Sequence, residues 1–167
     1  MSEPGIKAFG SSEITDVLVG ITPICLNSFV QRQLYGITAT LSDEHGETKL
    51  RLFNEADLYG IALAWMLFES GLRTQAIRTV LNKLAGTKTA NAKKAAQVLL
   101  RTEIDFILVV REARKPKSQD EGFQVITAHD NEVGHILESN LTANILIVPI
   151  GAKFADLEKR IAVLYGE

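Results

Sequence analysis

The sequence predicts an α+β fold, and three patterns support this prediction. Apolar residues recur at three- and four-residue steps in residues 11–34 and 54–84, which indicates amphipathic helices. Two runs within residues 37–53 alternate in polarity, as half-buried strands do. Three strand-like runs and two helical runs follow in residues 103–167, and they predict a small β-β-α-β-α layer.

Size and composition are those of a globular protein with one domain or two small ones. The chain has 167 residues, of which 46% are hydrophobic and 23% charged. No apolar run approaches the roughly 20 residues that a membrane span needs, so no membrane association is expected. The N-terminus lacks the features of a signal peptide, and a single cysteine fits a reducing compartment. We therefore expect a cytoplasmic protein.

The N-terminal region has the pattern of a helix-turn-helix. Residues 1–10 are expected to form a flexible arm, and either serine of the pair 11–12 can cap a first helix that Gly20 closes. Thr22–Pro23 then places an N-cap before a proline at the first helical position. The second helix is expected to continue to Leu34, so the two helices and their turn form the motif.

A β-hairpin and a helix pair are predicted next. Residues 37–41 and 48–53 alternate in polarity around a polar loop of about six residues. Asn54 is a good N-cap for the following helix, and Gly71 can take the left-handed conformation that ends it. A second helix extends to Leu84. The apolar face predicted for the first helix consists of Leu58, Ile61, Trp65 and Phe68.

A small set of positions in residues 13–85 carries a family resemblance. The positions are Gly20–Ile21, Leu26, the run Arg51–Leu58, Gly71 and Ile77. On these positions the segment resembles the winged-helix DNA-binding domain of the MerR family of transcriptional regulators. The resemblance implies a DNA-binding domain over residues 11–86, in which the second helix recognises DNA and the hairpin is a wing beside it.

Five polar side chains are candidates for contact with duplex DNA. Asn27, Gln31 and Arg32 lie outside the apolar stripe of the second helix, where Asn and Gln can pair with adenine and Arg with guanine. Lys49 and Arg51 share one face of the wing, from which they can reach phosphates or the minor groove. The simpler alternative is that all five are solvated surface residues.

Residues 87–102 are predicted to form a linker or dimerisation helix, since MerR-type proteins often dimerise through a helix in this place. Residues 103–167 are then a domain that dimerises or senses a small-molecule effector. Residues 87–102 contain lysines at 88, 93 and 94 and an arginine at 101, with no acid. This basic stretch can partly offset phosphate repulsion if it packs beside the DNA.

Catalytic, metal and cofactor sites are not expected. Cys25, on the second helix, is expected to be a small core residue rather than a redox or metal sensor. The spacing of His129, Asp130, Glu132 and His135 does not imply convergence on a metal, and Asp130 or Asn131 can instead cap a helix. No phosphate-binding glycine loop or nucleophile elbow supports an enzyme.

The leading hypothesis is a homodimeric, sequence-specific DNA-binding transcriptional regulator. Two alternatives stay open. The first is a protein-interaction module that kept the winged-helix fold without binding DNA, because acids outnumber bases up to residue 85 and Asn27 stands where the family usually has arginine. The second is a small-ligand receptor with a pocket between the C-terminal sheet and the helices.

Overall fold

The computed structural model describes residues 8–42, 50–111, 123–141 and 143–166, and within them the fold is α+β, as predicted. The helices are α1 (Ser11–Val17), α2 (Pro23–Gln31), α3 (Glu55–Glu69), α4 (Thr74–Ala85), α5 (Ala92–Arg101), α6 (Val133–Ser139) and α7 (Ile150–Tyr165). The strands are β1 (Ala8–Gly10), β2 (Thr40–Ser42), β3 (Leu50–Asn54), β4 (Phe106–Arg111), β5 (Phe123–Ala128) and β6 (Asn144–Val148). They form two antiparallel sheets, with strand orders β1-β3-β2 and β5-β4-β6.

Helix α3 is the central element of the core. The residues of the run 58–64 are all buried, together with Met66 and Leu67. The helix begins at Asn54, as predicted: the Asn54 side-chain oxygen accepts a hydrogen bond from the Asp57 backbone N–H at 2.8 Å, and the Asp57 carboxylate accepts one from the Asn54 N–H at 3.1 Å. Because this helix is apolar on nearly every side, it lies inside the protein rather than on its surface.

The predicted apolar face of α3 is therefore only partly correct. Leu58 and Ile61 are fully buried, but Trp65 is half-buried and Phe68 is 44% exposed. The two rings stack on each other at 5.4 Å between centroids, at the outer end of the helix. A single helical period selects one face, whereas α3 is packed by α4, α5, α7 and β1 on several sides.

Helix α5 crosses α3 at very short distance. A methyl group at Gly60 would lie 2.8 Å from the backbone nitrogen of Lys93 and 3.0 Å from its Cα, so only glycine fits there. The facing alanines of α5 are fully buried, at positions Ala92, Ala95 and Ala96. Residues 87–102 therefore contribute a core helix, and its small-residue face is occupied by the same chain rather than left free for a dimer partner.

Residues 8–10 are not part of a flexible arm, in contrast to the prediction; residues 1–7 lie outside the described ranges. Strand β1 pairs with β3, from Ala8 opposite Asn54 to Gly10 opposite Leu52. Phe9 is fully buried, and its ring meets that of Tyr165 edge-on at 5.6 Å. The Tyr165 hydroxyl also donates a hydrogen bond to the Ala8 carbonyl at 3.1 Å. A contact with α7, so far away in sequence, could not be predicted from local patterns.

The helix caps of the N-terminal region are partly as predicted. The Thr22 side-chain oxygen accepts a hydrogen bond from the Cys25 N–H at 3.2 Å and begins α2. The serine caps predicted for α1 are wrong: Gly10 holds the N-cap position, and its N–H donates to the Glu13 carboxylate at 2.7 Å. Helix α2 ends at Gln31, earlier than predicted, because Gln33 adopts the left-handed conformation with φ 47°.

The predicted hairpin exists as the antiparallel pair β2–β3, in which Thr40 lies opposite Leu52. Its first strand begins at Thr40 rather than at residue 37. Ile37 is instead buried in the core, 3% exposed, after Gly36, where a methyl group would overlap the Ala90 carbonyl. The connecting loop, residues 43–49, lies outside the described residues.

The C-terminal layer has the predicted β-β-α-β-α order. The central strand β4 is buried on both faces over residues 107–110, as predicted. One face joins the main core, and α6 covers the other. The main core continues across residue 103, where the sequence placed a boundary: the rings of Tyr59 and Phe154 meet at 5.2 Å, and the Lys83 ammonium donates to the Phe123 carbonyl at 2.9 Å.

We predict that Gly60→Ala lowers the free energy of unfolding by about 1–3 kcal/mol, since the added methyl group must push the backbones of α3 and α5 apart. The matched control is Gly134→Ala in α6, where the methyl group would meet nothing within 4 Å and helix propensity favours alanine by about 1 kcal/mol. Urea denaturation of both variants measures the difference. Equal stability of the two variants would contradict the close crossing.

A second prediction concerns alkaline pH. Burial, followed by the carboxylates of Glu158 and Glu55, raises the pKa of Tyr59 from 10.0 to about 12. The neutral phenol is favoured in the folded state, so this contribution to stability is complete below pH 10 and is lost as the pH rises toward 12. Between these values the wild type should lose more stability than Tyr59→Phe in urea titrations. Parallel pH profiles for the two proteins would refute the shift.

Candidate nucleic-acid interface

Helix α2 has a buried side and an outward side. Leu26 and Phe29 are 2% and 3% exposed and anchor the helix on the core. Ile24, Asn27 and Gln31 are exposed, and their spacing of three and four residues places them on one face. We call these three residues the outward face of α2. Side chains on this face can reach a partner surface without any rearrangement of the core.

The turn between α1 and α2 is fixed by the core. Leu18 and Ile21 are each 5% exposed, and Gly20 between them has φ +87°, a conformation that glycine adopts without strain. The Trp65 indole N–H donates a hydrogen bond to the Val19 carbonyl at 3.2 Å. Helix α3 therefore fixes the turn from the side of the core, and α2 keeps a defined orientation on the surface.

A hydrogen bond joins the wing strand to the outward face of α2. The Arg51 guanidinium on β3 donates to the Asn27 side-chain oxygen at 2.9 Å. This contact brings together two of the five residues that were predicted to contact DNA. The Asn27 oxygen keeps a second lone pair and its NH₂ group keeps two donors, while the five N–H donors of Arg51 are only partly used. Both side chains therefore have capacity for a further partner.

The other three predicted DNA-contact residues differ in where they lie. Gln31 is the last residue of α2 and is exposed on the outward face. Arg32 follows as the C-cap, where its backbone N–H donates to the Ser28 carbonyl at 3.3 Å and its side chain is exposed. Lys49 lies outside the described residues. Four of the five candidates are thus accessible on α2 and on the adjacent strand.

In the described part of α2, its C-cap and β3 the charged side chains are cationic, although the chain has a formal net charge of -2. Helix α2 contains no charged residue, and Arg32 and Arg51 are the charged residues of its C-cap and of β3. The nearby acids at the start of α3 are partly compensated, since Asp57 forms an ion pair with Lys93 at 3.2 Å. The balance of the whole chain therefore does not describe this surface.

Tyr35, Thr74 and Arg78 are neighbours that sequence reasoning missed. The Tyr35 ring meets that of Phe29 edge-on at 4.9 Å, just behind α2. Burial raises the pKa of the Tyr35 phenol, while the side chain of Thr74 and the Arg78 guanidinium act to lower it, so both lie close by. Arg78 is exposed and is a cation in the neighbourhood of Tyr35. No local signal connects residues about forty positions apart.

Cys25 packs against the core and is half-buried. Burial raises the pKa of its thiol, which disfavours the thiolate that redox and metal chemistry require. The cluster around His129 is a turn: the Glu132 carboxylate accepts from the His129 N–H at 2.8 Å, and the Asp105 carboxylate accepts from the Asp130 N–H at 3.0 Å. Neither Asp130 nor Asn131 is the predicted cap of α6: its N-cap is Glu132, and both residues lie in a 3-10 turn, Asp130–Glu132, that precedes it.

Within the described ranges, no three His, Cys, Asp or Glu side chains come together in a way that can hold a metal ion. A cleft of about 330 Å³ lies between the α3–α4 turn and the C-terminal sheet, which is where the small-ligand receptor hypothesis expects a pocket. Gly71, Leu72 and Leu146 line it together with Arg111 and Asn144. These side chains show no convergence of charges that selects a particular ligand class.

None of the helices in the described part of the chain is long and apolar enough to cross a bilayer.

Comparisons with known proteins find no relative of this chain. No protein-family model matches the sequence, and no curated protein shows significant similarity to it. The resemblance to the MerR family therefore stays a prediction from the sequence, and the function has to be inferred from the surface that α2 and β3 present.

Proposed function

We propose that this protein is a transcriptional regulator that binds duplex DNA through a MerR-like winged helix-turn-helix formed by α1, α2 and the β2–β3 hairpin. The observation that carries the proposal is the hydrogen bond from Arg51 to Asn27. It places a cation of the wing strand directly beside a polar residue on the outward face of α2. A winged helix that reads DNA needs this combination, a base-reading helix next to a cationic hairpin.

In the proposed complex α2 enters the major groove, which is about 12 Å wide and admits a helix. Asn27 and Gln31 present amide groups that can each form two hydrogen bonds with the major-groove edge of adenine, at N6 and N7. The residues that hold α2 in place are on its opposite side, at Leu26 and Phe29. DNA binding therefore does not compete with the packing of the helix.

Arg32, Arg51 and Lys49 are the proposed phosphate contacts. Arg51 has a second role, because its bond to the Asn27 oxygen fixes the orientation of that amide before DNA arrives. Few cations are involved, so we expect binding with a modest salt dependence, on the order of one counterion released per contact. Acidic residues elsewhere on the domain oppose non-specific binding, which favours discrimination between sequences over affinity.

The proposal includes homodimerisation, so that two α2 helices read a two-fold-related site. We place the dimer contact on residues 103–167, because the apolar face of α5 is already buried. Leu141 and Ile147, 83% and 38% exposed, are apolar side chains of this layer that remain available. Residues 103–167 are also the proposed binding region for a small-molecule effector. Regulation of transcription further implies that the protein is cytoplasmic.

We predict that Arg32→Ala and Arg51→Ala each weaken binding to duplex DNA several-fold, and that each lowers the slope of log affinity against log salt by about 1. Fluorescence anisotropy with a labelled duplex at several salt concentrations measures both quantities. Lys159→Ala is the matched control, since Lys159 is an exposed cation on α7 and should leave binding unchanged.

Wild-type affinity and salt slope in both arginine variants would contradict the proposal. An equal loss in Lys159→Ala would show that binding depends on general positive charge rather than on this surface.

A protein-interaction module is the second candidate function, and one observation favours it. Val19, Ile24 and Phe68 are 62%, 79% and 44% exposed. Val19 and Phe68 are linked through Trp65, and Ile24 lies two residues into α2. Exposed apolar groups of this kind are typical of protein contacts. Absence of any mobility shift on random duplex DNA at low salt would favour this candidate over the first.

A further inference from the structure

Ile24 is an exception on an otherwise polar outward face. It is 79% exposed, although it lies on a well-defined helix whose N-cap is Thr22. Pro23 and the Thr22 cap fix the start of α2, so the Ile24 side chain has a definite direction away from the core. An isoleucine held in water lacks the favourable free energy that burial of its side chain provides, and a partner that covers it would supply that burial.

The neighbours of Ile24 indicate the chemistry of that partner. Asn27 and Gln31 lie three and seven residues further along the same face, within about 10 Å of helix rise, which corresponds to roughly three base-pair steps. In the major groove, adenine offers the acceptor and donor that a side-chain amide matches, and thymine offers a methyl group that an apolar side chain contacts. An isoleucine beside two amides is therefore complementary to A·T base pairs.

The residue types that are absent from α2 also favour recognition of A·T base pairs. Recognition of cytosine uses a carboxylate that accepts from its amino group, and α2 contains no acid. Recognition of guanine uses a cation, and the cations of this surface, Arg32 and Arg51, stand at the C-cap and on the wing strand. The N-terminal turns of a recognition helix make most of the base contacts, and here they carry Ile24 and Asn27.

We infer that Ile24 contacts the C5 methyl group of thymine in the major groove and that α2 thereby selects duplexes with A·T pairs at the base pairs that face it. This inference rests on the proposed function, because it names the substrate that the same surface takes. It adds a specificity-determining residue that neither charge nor hydrogen bonding indicates.

The test begins with selection of preferred duplexes from a random library by the wild-type protein. Each deoxythymidine of the selected site is then replaced, one at a time, by deoxyuridine, which removes only the methyl group. We expect at least one replacement to weaken wild-type binding about threefold to fivefold, as removal of a buried methyl group does. The Ile24→Ala variant should bind the thymidine duplex more weakly and show no further loss with deoxyuridine.

The matched control is Val163→Ala on α7, where the side chain is also 79% exposed. This variant should keep both the wild-type affinity and the sensitivity to deoxyuridine. The deoxyuridine series on the wild type needs no variant, so a folding defect in Ile24→Ala leaves the inference testable.

Two kinds of failure are distinguishable. If the wild type binds no duplex and the library yields no selected site, the proposed function itself fails. If it binds, but the sites lack A·T pairs or every deoxyuridine duplex binds like its thymidine parent, only the role of Ile24 is overturned. A loss in Ile24→Ala that adds fully to the loss from deoxyuridine would also overturn it, because two groups in contact cannot act independently.

Discussion

Helices α3 and α5 cross so closely at Gly60 that only glycine fits there, and this crossing organises the core. It allows a helix that is apolar on nearly all sides to be covered by the same chain. Around α3 the other elements take fixed places: β3 leads directly into its Asn54 cap, Trp65 holds the α1–α2 turn, and the Tyr59 ring packs on α7. The N-terminal helices and the C-terminal layer are therefore supported by one core.

This arrangement explains how a small surface can be held ready for a partner. Helix α2 is anchored by its inner side, and β3 is fixed both by its two neighbouring strands and by the cap of α3. The hydrogen bond between Arg51 and Asn27 then sets the relative position of the two elements at their outer edge. A preorganised surface of this kind loses little conformational entropy on binding, which matters because it offers few charges.

The features that could be predicted from the sequence are those that depend on residues close together in the chain. The caps at Thr22 and Asn54, the glycine break at Gly71 and the order of the C-terminal elements all follow from local chemistry. The pairing of β1, the burial of α5 and the outer position of Phe68 did not follow, because each depends on contacts between distant segments. In the candidate site, helical period alone placed Asn27 and Gln31 outward. The contact with Arg51 spans 24 residues and required the fold.

The outward face of α2 and the strand β3 form the proposed contact surface for duplex DNA. The most direct measurement is a titration of ¹⁵N-labelled protein with a short duplex at low salt, followed by amide chemical-shift changes. We expect changes concentrated in residues 22–33 and 50–54, with the C-terminal sheet little affected. Absence of changes at saturating duplex, or changes confined to residues 103–166, would contradict it.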